Sequence, residues 1–154
     1  MYTRFFTVNP EKKQIAVGYN LKDHLISYNL KGKKIFKKIG PDGIQPTYKN
    51  LYKPDERKAY ESLISDQDYI YCLYSGREAW HYKDGSTSLN NIKENYPKSI
   101  LIFDWEGNPK LRVNLSHECR DFIIDKETNR LITLSLEEEP FHVYDFSKIK
   151  NALD

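Results

Sequence analysis

The chain alternates short apolar segments with polar turns, and the same order of segments occurs near both of its ends. The segment from Phe6 to Leu30 aligns without a gap with the segment from Phe122 to Phe146, which lies 116 positions later. Few residues are identical, but apolar strands, polar turns and charged turns fall in step. This agreement of pattern indicates an internal repeat.

A third copy of the pattern lies between these two. Residues 60–76, YESLISDQDYIYCLYSG, contain two apolar runs around a polar turn, and residues 100–115, ILIFDWEGNPKLRVNL, contain two more. The offset of 116 positions then corresponds to two repeats of about 58 residues. Gly, Asn, Asp and Pro stand where the chain must reverse, so each unit is predicted to be a four-stranded antiparallel meander.

The central strands are apolar on both faces. In the run from Ile100 to Trp105, Ile100 and Ile102 lie on one face, while Leu101, Phe103 and Trp105 lie on the other. A strand of a two-layer sandwich has one apolar and one polar face. Strands that are apolar on both sides predict sheets stacked between neighbours, as in the blades of a β-propeller.

The segment DYIYCLYSGR, followed after an insert by ILIFDWEGNP, resembles the TolB-like six-bladed propeller proteins of bacteria. Many of those proteins are predicted lipoproteins of unknown function. The resemblance extends over most of the chain, from Phe6 to Phe146. It implies a propeller fold and a periplasmic or cell-surface location, and it carries no catalytic residues. The family has six blades, whereas this chain has material for three.

The predicted fold is therefore all-β: residues 1–154 form one propeller fragment, half of a six-bladed ring. The approximate blades are residues 3–39, 59–116 and 119–146, the long loops are 40–58 and 76–98, and the tail is 147–154. The last blade is incomplete, because no fourth strand follows Tyr144 and the tail is more typical of a short helix. Such an arc leaves an apolar face at each end. Either the missing N-terminal blades belong to a longer chain, or a head-to-tail homodimer completes the ring.

Charge and hydropathy narrow the classes of partner. The net charge is +2, and no apolar run is long enough for a transmembrane helix. The N-terminal residues of the chain as given do not have the pattern of a signal peptide. Five lysines lie between Lys31 and Lys38, but lysines on an outer strand commonly protect a sheet edge. We therefore expect no nucleic-acid partner.

The two longest irregular stretches, residues 40–58 and 76–98, are predicted to lie on the same rim of the propeller. Loops of this length commonly have a role. The second loop contains Arg77, Trp80, His81 and Tyr82, residue types that dominate binding hot spots. These four residues are the candidate partner-binding set. The alternative is that Trp80 packs against its own blade and the other three are solvated.

Motifs for catalysis or metal binding are not found in the sequence. The four histidines and two cysteines lack zinc-ligand spacing, and the nucleophile elbow Gly-x-Ser-x-Gly is missing. We expect no metal, no cofactor and no disulfide, with Cys72 buried as a small apolar residue.

The sequence thus favours a non-enzymatic binding module that recognises a protein, peptide or glycan on its loop-bearing face. The alternative is a hydrolase or lyase with carboxylates at the channel mouth of the completed propeller.

Overall fold

The computed structural model describes residues 4–44, 57–82, 92–136 and 140–153. The first sheet has four antiparallel strands in chain order: β1 (Arg4–Asn9), β2 (Gln14–Tyr19), β3 (His24–Asn29) and β4 (Lys34–Ile39). The lysine-rich strand β4 is an edge strand, as its composition predicts.

The second sheet contains β5 (Arg57–Ser65), β6 (Tyr69–Glu78), β9 (Ser99–Asp104) and β10 (Pro109–Asn114). Its strand order is again that of a meander, because β6 pairs directly with β9. A separate hairpin of β7 (Trp80–Tyr82) and β8 (Ile92–Glu94) is inserted between these two strands.

The third sheet has three strands: β11 (Asp121–Asp125), β12 (Arg130–Leu134) and β13 (Phe141–Asp145). The chain then forms a short helix, α1 (Phe146–Asn151), instead of a fourth strand. The Asp145 side chain accepts a hydrogen bond from the Ser147 amide and caps this helix. The prediction of an all-β partial propeller with an incomplete last blade is therefore confirmed.

The turns at one end of the sheets share a chemical feature. An Asn or Asp at or just after the end of the preceding strand accepts hydrogen bonds from backbone amides two to four residues further on, which stabilises the reversal. These residues are Asn9, Asn29, Asp66, Asp104 and Asp125. In two of the turns a glycine adopts a left-handed conformation, with φ of 78° at Gly32 and 85° at Gly107.

The middle sheet is buried on both faces. Ile70, Cys72 and Tyr74 belong to the core shared with the first sheet, whereas the intervening Tyr71 and Leu73 belong to the core shared with the third sheet. Each apolar face thus meets a neighbouring sheet, which is the packing that the sequence predicts. Cys72 is fully buried, and both cysteines are free thiols.

The first strand of each sheet lies at the inner edge. Thr7 Oγ1 of β1 is 2.7 Å from Ser65 Oγ of β5, and Ser62 Oγ of β5 donates to Asp121 Oδ1 of β11 at 2.8 Å. These hydrogen bonds join the three inner strands side by side.

The long loops differ from the sequence prediction. Residues 76–98 are not wholly irregular, because β6 continues to Glu78 and the hairpin β7–β8 follows it. The extension of β6 forms because β5 already begins at Arg57, which pairs with Glu78. Residues 57 and 58 therefore belong to a strand and not to the first loop, and residues 45–56 lie outside the described part of the chain.

Candidate functional site

The connections that carry the long loops lie at one end of the three sheets, which we call the upper rim. Its described residues are 20–23, 40–44, 79–82, 92–98, 115–120, 135–136 and 140. The antiparallel order of strands places these connections together, because alternate connections of a meander emerge at the same end. The described ends of the two predicted loops therefore leave and rejoin the sheets on one rim.

The four residues of the candidate partner-binding set lie at the start of the insertion on the upper rim. Arg77 is near the end of β6, and Trp80, His81 and Tyr82 form β7. In the backbone register Trp80 is opposite Glu94 and Tyr82 is opposite Ile92. The side chains of residues 80–82 lie outside the described part of the structure, so their role as contacts stays a prediction.

Arg77 holds several segments of the upper rim together. Its Nη1 donates to the Tyr96 carbonyl oxygen at 3.2 Å and to Glu118 Oε1 at 3.1 Å. Its side chain remains 38% exposed, so part of the guanidinium faces solvent. Arg77 is thus a fixed side chain with donors still accessible.

An open cleft of about 720 Å³ lies beside Arg77. Its lining residues are Arg57, Gly76, Arg77, Glu78 and Asn95. Arg57 donates through Nη2 to the Gly76 carbonyl oxygen. The Asn95 side chain donates to the Glu78 carbonyl oxygen at 2.8 Å, and its backbone amide donates to the Ala79 carbonyl oxygen at 2.9 Å. Backbone contacts therefore position two of the polar side chains of the cleft.

Four ionisable residues form a second cluster on this rim. Lys58 Nζ lies 3.6 Å from Glu61 Oε2 and makes a close ion pair with Glu94. The Tyr96 hydroxyl donates to Glu94 Oε2 at 2.8 Å. The side chains of Lys58 and Glu61 are each only 12% exposed, so this ion pair is shielded from solvent.

The environment moves the pKa values of the two glutamates in opposite directions. Burial raises the pKa of Glu61 to about 7, and the charge of Glu94 contributes in the same direction. Burial opposes ionisation of Glu94 as well, but hydrogen bonds from Lys58 and Tyr96 together lower its pKa. Near neutral pH the cluster therefore contains one ionised glutamate and one that exchanges a proton.

Sequence reasoning missed this cluster. Lys58 and Glu61 come from β5, while Glu94 and Tyr96 come from the end of the insertion more than thirty residues later. The available signal was three charged residues, Arg57, Lys58 and Glu61, in the first half of strand β5. That signal does not identify the partner residues, because their approach depends on how the insertion returns to the sheet.

Two of the four histidines, His117 and His142, pack against each other at the third sheet. His117 and His142 stack with ring centroids 3.5 Å apart, and His117 Nε2 lies 2.9 Å from Thr133 Oγ1. In the described ranges, no group of three or more His, Cys, Asp or Glu side chains is arranged to hold a metal ion.

Comparison with known proteins agrees with the geometry of the sheets. Residues 1–127 match the family described as TolB-like 6-blade propeller-like. The chain belongs to this family. The family description names a β-propeller fold and no partner. The comparison with curated proteins found no match.

A similar solved structure is described as a protein of unknown function from Bacteroides caccae. The superposition has a TM-score of 0.35 at 9% sequence identity, and it covers 95% of this chain and 62% of that one. The TolB-like chain thus spans less than two thirds of the length of that protein. Within the described ranges, no helix is long and apolar enough to cross a membrane.

Proposed function

We propose that this TolB-like chain is a non-enzymatic binding module that recognises a peptide segment of a protein partner on its upper rim. The proposal depends on one observation: the open cleft of about 720 Å³ is lined by Arg57 and Arg77. Both guanidinium groups donate hydrogen bonds to backbone carbonyl oxygens: Arg57 to that of Gly76, and Arg77 to that of Tyr96.

Arginine suits this role because its planar guanidinium presents several donors in a fixed fork. Backbone carbonyl oxygens and carboxylates of a bound peptide can accept from these donors. Since the two side chains are already ordered by intramolecular hydrogen bonds, binding costs little side-chain entropy. The backbone of Trp80, His81 and Tyr82 begins two residues beyond the cleft residue Glu78, so these residues extend the same surface.

Location is part of this proposal. Membership of the TolB-like family supports a periplasmic or cell-surface protein, where the upper rim would meet exported or envelope proteins. Glycans are the other ligand class considered in the sequence analysis, and the experiment below separates them from peptides.

The test is selection of ligands on the immobilised chain from a random peptide library and, in parallel, from a glycan array. Peptides selected by the chain should bind Arg57→Ala, Arg77→Ala, Trp80→Ala and Tyr82→Ala variants at least about tenfold more weakly, since each is a candidate hot spot. Lys12→Ala is the matched control, because Lys12 lies at the opposite end of the sheets and pairs with Glu106.

Far-ultraviolet circular dichroism checks that each variant is folded, which matters most for Arg77 because it also bonds to Tyr96 and Glu118. Selected peptides whose binding is unchanged in all four variants would contradict the upper rim as the site. Selection of glycans alone would contradict the peptide ligand.

A second candidate function is a hydrolase or lyase. It is favoured by the divergent pKa values of Glu61 and Glu94, which is the pattern of an acid paired with a base. We rank it second because the side chain of Glu61 is only 12% exposed. Burial accounts for the raised pKa of Glu61, and the contact with Lys58 accounts for the lowered pKa of Glu94, without any catalytic role. Turnover of chromogenic glycosides or esters that is lost in Glu61→Gln would support it. No turnover with any of these substrates would exclude these reactions.

A further inference from the structure

The internal repeat allows the outward face of the first sheet to be compared with a face that is buried. Phe6 in β1 corresponds to Phe122 in β11, and both lie on the side of their sheet that faces the preceding sheet of the arc. Phe122 is 2% exposed because it packs against the second sheet. Phe6 is 69% exposed. The same position of the repeat is therefore a buried interface residue in the third sheet and a solvent-exposed phenylalanine in the first sheet.

Other positions on this face show the same contrast. Leu30 is 61% exposed, whereas its counterpart Phe146 is 5% exposed. Val8 is 42% exposed, whereas its counterpart Ile124 is half-buried and packs against the core shared by the second and third sheets. The outward face of the first sheet thus has the apolar composition of an interface between sheets. Among the described residues, no other sheet packs against it.

The outward face of the third sheet is the complementary case. Phe141 is 65% exposed, whereas its counterpart Leu25 is fully buried against the second sheet. Val143 is 58% exposed, and its counterpart Ser27 is fully buried. An apolar hollow of about 200 Å³ on this face is lined by Asp121, Phe122, Ile123, Ile132, Thr133, Leu134 and Phe141.

The charges around the two faces have opposite sign. Arg4 and Lys37 lie on the outward side of the first sheet, by the alternation of β1 and β4. On the outward side of the third sheet, Asp125 and Asp145 flank Arg130 in one row of the register. Asp121 lies on the same side of the third sheet, at the end that corresponds to the Arg4 end of the first sheet. The first face is thus basic and the second has a net negative charge, so the two faces complement each other in net charge as well as in apolar surface.

We propose that a second copy of this chain covers both faces, with the first sheet of each copy packed on the third sheet of the other. Two copies joined in this way have six sheets, the number in the name of the family. The contact between copies repeats the geometry by which the third sheet packs on the second within one chain. Two such contacts related by a two-fold axis close the ring.

The first measurement is the mass of the purified chain by light scattering at micromolar concentration. The proposal requires a particle of twice the chain mass of 18.2 kDa. A monomer would overturn it, and that result is expected if the faces instead meet further sheets of a longer chain. A series of larger open assemblies would overturn the closed ring.

The second measurement uses one charged substitution on each face, Phe6→Glu and Phe141→Glu. Each variant places a carboxylate in both contacts of the ring, so each should weaken dimerisation by at least about 100-fold and give a monomer. Lys98→Glu is the control, since Lys98 is an exposed residue on the upper rim. It should remain a dimer.

Mixing the two variants separates the head-to-tail contact from other dimers. A mixed pair retains one intact contact, between the unaltered first sheet of one chain and the unaltered third sheet of the other, so heterodimers should form where neither variant dimerises alone. Heterodimers also demonstrate that both variants are folded. A dimer built from two first sheets would instead survive Phe141→Glu, and that outcome would overturn the proposal.

Discussion

The hydroxyl oxygen of Tyr74 lies 2.9 Å from Oδ2 of Asp23 and 2.8 Å from Oδ2 of Asp42. One hydroxyl proton serves one acceptor at a time, so two ionised carboxylates would leave one contact without a proton. Burial raises the pKa of Asp23 even though Tyr74 and the backbone amides nearby favour its charged form. A protonated Asp23 can donate to Tyr74, which then donates to Asp42. The three residues join the first sheet, the segment that leaves it and the second sheet.

Removing the hydroxyl should weaken this junction. Tyr74→Phe leaves Asp23 buried without its hydroxyl partner, and we expect a loss of about 1–3 kcal/mol in the free energy of unfolding. Urea unfolding at neutral pH measures it. Tyr19→Phe is the control, because this half-buried ring keeps its contact with the Arg4 guanidinium. Equal losses in the two variants would contradict a specific role for the Tyr74 hydroxyl.

The position of the Asp23 side chain in this cluster requires a residue without a side chain at Gly40. A Cβ atom at this position would lie 1.7 Å from Asp23 Oδ1, and the Gly40 amide donates to the Asp23 carbonyl oxygen at 2.8 Å. Gly40→Ala should therefore lower the free energy of unfolding by more than about 2 kcal/mol. Gly32→Ala is the comparison, since Gly32 has open space around it and a φ of 78°. That variant should lose only about 1 kcal/mol. A smaller loss for Gly40→Ala than for Gly32→Ala would show that Asp23 can move away.

The raised pKa of Glu61 predicts a pH dependence of stability. The folded chain binds the Glu61 proton more tightly than the unfolded chain, so the free energy of unfolding should fall as pH rises from 4.5 to about 7. Glu61→Gln cannot ionise and should remove this contribution, which is on the order of 3 kcal/mol. Thermal melts at pH 5 and pH 8, chosen as roughly the two sides of this window, compare the proteins. The variant should gain stability relative to the unaltered chain only at the higher pH. An equal difference at both values would mean that Glu61 is ionised throughout.

The two thiols should be unreactive in the folded chain. Cys72 and Cys119 are both fully buried, and burial raises the pKa of Cys119 to about 12 and that of Cys72 further. Because the thiolate is the reactive form, a thiol-reactive dye at pH 8 (about the usual thiol pKa) should label neither residue without denaturant. Both should react in urea. Rapid labelling of Cys119 alone would indicate that the second and third sheets separate.

The repeat and the strands that are apolar on both faces could be predicted from sequence, because every residue of such a strand contributes to the pattern. Tyr71 and Cys72 are adjacent in sequence and lie in different inter-sheet cores, as alternation requires. The hairpin β7–β8 could not be predicted. Its strands have three residues each, too few for alternation to be distinguished from chance.

The candidate site was predictable only in part. Arg77 was identified by residue type and lies beside the cleft. The Glu61 and Glu94 pair depends on a shared contact with Lys58, which sequence separation conceals. Arg77 also bonds to Glu118 from the connection to the third sheet, so its surroundings could be known only from the packing of the sheets.

The hairpin β7–β8 leaves the second sheet after β6 and returns before β9, although residues 69–74 of β6 pair with the whole of β9. Its length and composition can therefore change without altering the register of the blade. Homologous chains can diverge in this segment while conserving the blade, and a laboratory can graft a foreign recognition segment there. The blade and this hairpin are separable units of the same polypeptide.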